Sequence, residues 1–300
     1  MTAPHRSWPS HCRDDLIAAI GEAADGFPRP GQDDAQRVHD VRKTLKRASG
    51  LTRLFVPYVG ASATELRRAL KAARRRVARA RDLDVLSGVL SQLGGADEAR
   101  EILERVVAEQ RALERSGWRD EGDAPAGLRV LGQAAENWKI DEGGLEPLVR
   151  AMRRTYRSAR KLGERALESR ESDEMHAMRG HVVDLGYQME ALEPAWPEVL
   201  GAVRQELQRL RGVLGEHHDL AVLADFARGR SELAPPALDQ LLALIEVRRL
   251  PLERRADKLF ARLFVERPGD FARRIASYLR HPRHRPAERT NRGAIRDSAP

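Results

Sequence analysis

Two short patterns in the chain place an imidazole one helical turn before a guanidinium: His39-x-x-Arg42 and His176-x-x-Arg179. Basic residues continue from the first at Lys46 and Arg53. At ~100° per residue on an α-helix, His39, Arg42, Lys46 and Arg53 fall within about 60° of one another. Arg67, Lys71, Arg74 and Arg81 make a second stripe of this kind. Arginine forks onto two oxygens of one anionic group, and lysine offers a compact point charge. Neighbours three and four residues apart on a helix are ~5–6 Å apart, so such a stripe is a ladder of anion donors. A histidine beside an anion favours its charged form and donates from both ring nitrogens. The same position also suits a structural histidine filling a half-buried gap, and both readings stand.

Other chemistry is poorly provided for. The chain has no Walker-type glycine loop and no Gly-x-Ser-x-Gly elbow. Cys12 is the single cysteine, which leaves no intramolecular disulfide and no cysteine metal cage. His217-His218-Asp219 is only a fragment of a metal set. No catalytic residue, no metal site and no cofactor is therefore assigned, and the chain is read as a binding module, not an enzyme. Asp82 and Asp219 cannot bind an anion directly; their expected role is structural, capping a helix start or orienting a neighbouring His or Arg.

Charge supports the anion reading. The 300 residues carry a formal +8, with an isoelectric point near 10.1. Between Arg37 and Arg81 stand 14 Lys and Arg against only Asp40 and Glu65. Concentration of this kind is an electrostatic footprint for a polyanion. Further basic runs occur at Arg150, Arg153, Arg154, Arg157 and Lys161, and at Arg248, Arg255 and Arg262. Arg150, Arg154 and Arg157 rank highest among these because they precede His176.

The elements that must hold these residues read as helices throughout. Val38, Val41, Leu45, Ala48 and Phe55 recur on one face at helical spacing, as do Leu66, Leu70, Ala73 and Val77. The periodicity predicts helices over 14–25, 34–56, 62–92, 96–116, 145–169, 173–192, 196–214, 218–229, 236–264 and 269–280. Residues 117–144, rich in Gly and acids, read as an irregular connector between two halves, about 10–144 and 145–282. The tail, 283–300, lacks a core face and reads as disordered. No run of about 18 apolar residues exists, and the start, MTAPHRSWPSHCRDD, has no apolar signal core. With mean hydropathy of −0.55 and one cysteine, a cytoplasmic location without membrane association is expected.

The halves are copies. A shift of 137 residues aligns His39 with His176, Arg42 with Arg179, Pro57 with Pro194, Arg67 with Arg204, Leu70 with Leu207 and Arg74 with Arg211. The same shift sets RDLDVL at 81–86 on HDLAVL at 218–223. The second copy has lost cations: Val183, Gln208 and Gly212 stand opposite Lys46, Lys71 and Arg75.

VHDVRKTLKR, MHAMRGHVVDLGY, RDLDVL and GEHHDLAVL, in this order over roughly residues 10–282, resemble the signatures of the CHAD domain family, named for a conserved histidine and a helical fold. That resemblance implies an all-α fold of two pseudo-symmetric four-helix bundles with a basic groove or tunnel between them. It implies binding of inorganic polyphosphate and association with polyphosphate granules and their proteins. Many relatives carry a triphosphate-processing domain upstream; no Glu-x-Glu-x-Lys strand of that domain is present, so a stand-alone copy is expected. The polyphosphate ligands expected from the stripes and signatures together are His39, Arg42, Lys46, Arg53, Arg67, Lys71, Arg74, Arg81, His176, Arg179, Arg204 and Arg211, with Arg150, Arg154 and Arg157 added on charge and position alone. The alternatives are a generic polyanion or nucleic-acid binder, against which aromatics at only 5% argue, and less favoured, a phosphohydrolase. The lost cations predict a weaker share for the second half.

Overall fold

The computed structural model describes residues 7–27, 35–77, 79–117, 124–141 and 144–281, with the side chains of 35, 79–82 and 114–117 left aside. Among the described residues every regular element is a helix. The expected tail, 283–300, lies outside them.

The first half holds α1 (Trp8–Asp25), α2 (Ala35–Thr52), a 3-10 turn (Arg53–Phe55), α3 (Val56–Val59), α4 (Ala61–Arg76), α5 (Arg79–Gln92), α6 (Asp97–Gly117) and α7 (Ala124–Glu136). The second holds α8 (Glu146–Ser169), α9 (Ser172–Leu192), a 3-10 turn (Glu193–Ala195), α10 (Pro197–Arg228), α11 (Pro235–Leu263) and α12 (Pro268–Arg280). Pro57, Pro147, Pro197, Pro235 and Pro268 each fall at a helix start, where the missing N–H costs nothing. Ser7 caps α1 by accepting from the Ser10 amide at 3.3 Å.

Several boundaries differ from the sequence expectation: α1 begins at Trp8 instead of 14, and the helix expected over 34–56 ends at Thr52 in a 3-10 turn. The helix expected over 62–92 is broken: α4 ends at Arg76, and Val77 leaves helical geometry at φ −93 and ψ 16. The signal was the run Arg74-Arg75-Arg76, three cations in a last turn, where they complement the helix dipole. The two helices expected over 196–214 and 218–229 are one, α10. Gly215 does not break it, because buried Leu214, His217 and Leu220 hold the chain through that turn. The connector over 117–144 contains α7, whose Leu128, Gly132 and Ala135 are buried. Gly132 there permits close approach to Ile20 of α1; a Cβ would lie 3.3 Å from that side chain.

The apolar stripes predicted for α2 and α4 are all buried. Core formation does not stop at the boundary between halves. One cluster joins Leu16, Leu45, Leu51, Leu66 and Leu70 to Leu148, Met152, Val182, Met189 and Leu207. A second joins Leu83, Leu86, Leu90 and Leu103 of α5 and α6 to Leu223, Leu241 and Ile245 of α10 and α11. Burying such side chains is worth ~1.5–3 kcal/mol each before entropy is charged. Each half therefore depends on the other, and a site built across the seam is held on both sides. Among the described residues no helix is long and apolar enough to cross a membrane.

Candidate polyanion-binding site

The seam is set by α2 and α9, the two helices carrying the His-x-x-Arg pattern. They meet at Gly50, where a Cβ would lie 3.2 Å from Asp184 Cα and 3.3 Å from its carbonyl oxygen. A side chain here would press on the Asp184 backbone, so glycine gives the helices their closest approach. Gln188, fully buried, donates to the Gly50 carbonyl at 3.1 Å and to Thr155 of α8 at 3.2 Å. The Tyr187 hydroxyl donates to the Lys43 carbonyl at 3.3 Å.

Two ion pairs flank this crossing. Arg53 pairs with Asp184, and Arg47 Nε lies 3.4 Å from Glu190. Under the 137-residue shift, 47 corresponds to 184 and 53 to 190. The contact of position i with position j is thus returned as j with i, the reciprocity a two-fold relation demands. What differs is sign: the first copy supplies both arginines and the second both carboxylates.

On the Arg53 side the cations accumulate. Burial lowers the pKa of His176, and Arg179, Arg74 and Lys46 push it further down, against Asp173. Burial and then His176, Arg179, His217 and Lys46 hold His218 at about 4. Burial, Arg53 and Arg67 hold His181 at about 4 as well. Arg67 itself is lowered by burial and by Arg53, with Asp184 opposing. Burial raises Asp184, against the pull of Arg53, Arg67 and Arg74. One cluster therefore contains Lys46, Arg53, Arg67, Arg74 and Arg179 with His176, His181 and His218, drawn from α2, the first 3-10 turn, α4, α9 and α10. Arg67 Nε and His181 Nδ1 are buried and make no hydrogen bond among the described residues. A buried donor without a partner costs ~1–3 kcal/mol.

His176 and His218 touch. Their Nδ1 atoms are 3.2 Å apart and their ring centroids 4.2 Å. Such a bond needs one Nδ1 protonated and the other bare. His217, next in sequence, points elsewhere: it is 1% exposed, accepts from Arg249 Nε at 3.1 Å and lies 3.3 Å from Glu253. The His217-His218-Asp219 fragment is thereby split. Among the described residues no three His, Cys, Asp or Glu side chains are gathered for a metal ion.

The remaining predicted residues are placed as follows. Arg42 donates through Nη1 to the Val77 carbonyl at 3.2 Å, tying α2 to the break after α4. His39 is exposed on α2 one turn before it, and Lys71 is exposed on α4. Arg179 lies beside Gly215, whose Cβ would be 3.6 Å from its guanidinium. Arg204 and Arg211, the counterparts of Arg67 and Arg74, are engaged apart from the cluster. Arg204 pairs with Glu193; Arg211 donates to the Tyr187 hydroxyl at 3.4 Å and lies 5.7 Å from its ring centre. Arg150, Arg154 and Arg157 are exposed on α8 and do not figure among the charges acting on these histidines. Asp219 stands inside α10, so the expected cap at a helix start is corrected. The side chains of Arg81 and Asp82 lie outside the described set. Sequence reasoning missed His181 and Asp184 as members. The repeat shift was the available signal, since it places Thr44 and Arg47 opposite them.

The arrangement gathers partly exposed cations from three helices and a 3-10 turn around three histidines, which suits a multiply charged anion. A family model for the CHAD domain matches residues 16–228. The fold is similar to that of the solved structure of PptA from Streptomyces chartreusis, with a TM-score of 0.62 at 16% identity, covering 87% of this chain and all of that one. A search of curated proteins found no significant match.

Proposed function

Because the chain belongs to the CHAD domain family, we propose that it binds inorganic polyphosphate in the recess where α2, α4, α9 and α10 meet. The observation that carries this reading is the cluster of Lys46, Arg53, Arg67, Arg74 and Arg179 around three histidines, with Asp184 the carboxylate they enclose. Like charges brought together in a poorly solvated recess repel one another. A linear anion with one charge per repeating unit relieves that repulsion along its whole length, and its identical units demand no reading of bases. Arg42 supports the recess by fixing the α4 terminus, and His39 flanks it from α2.

The role proposed is binding, with no chemical step, in the cytoplasm and on polyphosphate granules. Binding follows counterion release and so weakens steeply with salt. The test is calorimetric titration with polyphosphate of defined length against the wild type and the Lys46→Gln/Arg74→Gln variant. At least a tenfold weaker affinity in the variant, at unchanged melting temperature, is expected; unchanged affinity overturns the site. Nucleic-acid binding is the rival reading, supported by charge alone, and competition separates them: duplex DNA that displaces polyphosphate at equal phosphate concentration makes the module a generic polyanion binder.

A further inference from the structure

The outer face of α8 was expected to join the central site, yet none of its arginines acts on the central histidines. It has a property of its own. From Pro147 to Gly163 the helix carries Arg150, Arg153, Arg154, Arg157, Arg160 and Lys161, and no Asp or Glu. Its inner face, with Leu148, Met152, Tyr156, Ala159 and Gly163, is buried. Arg160 is engaged by the Glu266 carbonyl at 2.9 Å and by Glu164 at 3.0 Å. Arg150 has a loose, exposed contact with Glu146 at 3.7 Å. Arg153, Arg154, Arg157 and Lys161 are exposed, and none forms a hydrogen bond or ion pair with a described residue.

Away from α2 and α4, several arginines stand beside carboxylates. Arg100 stands between Asp97 and Glu104, and Arg209, Arg228, Arg249 and Arg273 each have a carboxylate three residues before them. Like charges at i+4 destabilise a helix by ~0.2–0.5 kcal/mol per pair, so a strip left without carboxylates is maintained against its own repulsion. Arg150, Arg154, Arg157 and Lys161 follow one another at steps of four, three and four, along about 16 Å of helix. The same helix packs against the 3-10 turn that bears Arg53 of the central cluster.

We propose that the outer face of α8 is a second, separate strip for the same polymer, engaged only by chains long enough to occupy the central recess and continue onto it. This rests on the polyphosphate reading of the centre. Charge complementarity fixes the occupant: a flexible chain of uniform negative charge fits a straight row of exposed cations that offers no apolar or stacking surface. Two contacts on one polymer raise affinity through effective concentration, so length dependence follows.

The experiment measures binding of tripolyphosphate and of long-chain polyphosphate, with duplex DNA as a third probe. The proteins are the wild type, the Arg154→Glu/Arg157→Glu variant and the central Lys46→Gln/Arg74→Gln variant. The expected result is that the α8 variant holds tripolyphosphate as the wild type does but binds the long chain at least about tenfold more weakly. The central variant is expected to lose both. Equal long-chain affinity in the α8 variant overturns the second strip while leaving the centre intact, and so does equal weakening for both lengths, or a loss confined to DNA. A central variant that binds both lengths normally overturns the polyphosphate reading of the recess instead. The exposed position of Arg154 and Arg157 keeps the variant folded, which its melting curve checks.

Discussion

His176 and His218 face each other through their Nδ1 atoms at 3.2 Å, and cations outweigh the carboxylate, Asp173, that acts on His176. Without ligand, burial and those cations lower the pKa of both rings and so favour their neutral forms. A bound polyanion reverses the field and favours the imidazolium forms, so binding takes up protons. Affinity should therefore rise as pH falls from about 7.5 towards 5.5. Titration at three pH values checks this, and His176→Asn/His218→Asn should flatten the profile.

The free protein should respond to pH in the opposite sense. His181 and His218 titrate near 4 in the folded chain and near the ordinary histidine value of 6.5 once unfolded. The unfolded chain then binds more protons between those values. The stability these neutral rings contribute is complete above pH 6.5 and is lost as pH falls towards 4. Melting temperature should drop across that window, and added polyphosphate should restore most of it. A flat profile without ligand would contradict the placement of these rings.

The Arg53–Asp184 pair joins the two copies inside the cationic cluster. Asp184→Asn should lower stability by about 1–3 kcal/mol, since it leaves a half-buried arginine without its charged acceptor. The same change should tighten polyphosphate binding, because it removes the carboxylate that opposes the ligand. Denaturation and titration on one sample separate the two effects. A variant that is both less stable and weaker in binding would show that Asp184 positions the arginines more than it screens them.

Gly50 allows α2 and α9 to approach. Replacing it with Ala would gain helix propensity of ~1 kcal/mol while losing close contact, so its sign is undetermined. Gly50→Val gives up that gain and adds bulk 3.2 Å from the Asp184 backbone. A loss of ~1–3 kcal/mol is expected, with weaker binding because both His-x-x-Arg helices shift.

Much of the fold was legible because its signals are local. The apolar stripes through Leu45 and Leu70 and the prolines at helix starts depend on neighbours a few residues away. The connector was misread because Gly132 in α7 serves a close contact with α1, and a glycine kept for packing looks in sequence like one kept for a turn. At the site, Lys46, Arg53, Arg67, Arg74, His176 and Arg179 were recognised by type and spacing. The geometry nonetheless sends their repeat partners different ways: Arg67 and Arg74 enter the cluster, whereas Glu193 and Tyr187 engage Arg204 and Arg211. Such pairing depends on contacts across the seam, which no single helix pattern encodes. Four of the five cations come from the first half, and the second half adds Arg179 and His176 to the same cluster.

That difference between repeat partners is itself testable. Arg67→Gln and Arg74→Gln should each weaken polyphosphate binding more than Arg204→Gln and Arg211→Gln do. Arg179→Gln should resemble the first pair despite lying in the second half.

Five cations from both halves are expected to act together on one polyphosphate chain. The most direct test is the slope of log affinity against log salt for wild type and for Lys46→Gln/Arg74→Gln/Arg179→Gln. Each cation in contact with the chain contributes ~0.7–0.9 to that slope if the counterion behaviour of nucleic acids applies. The account predicts a steep wild-type slope that falls by about 2–3 in the triple variant, with the fold intact. Equal slopes in the two proteins would contradict it.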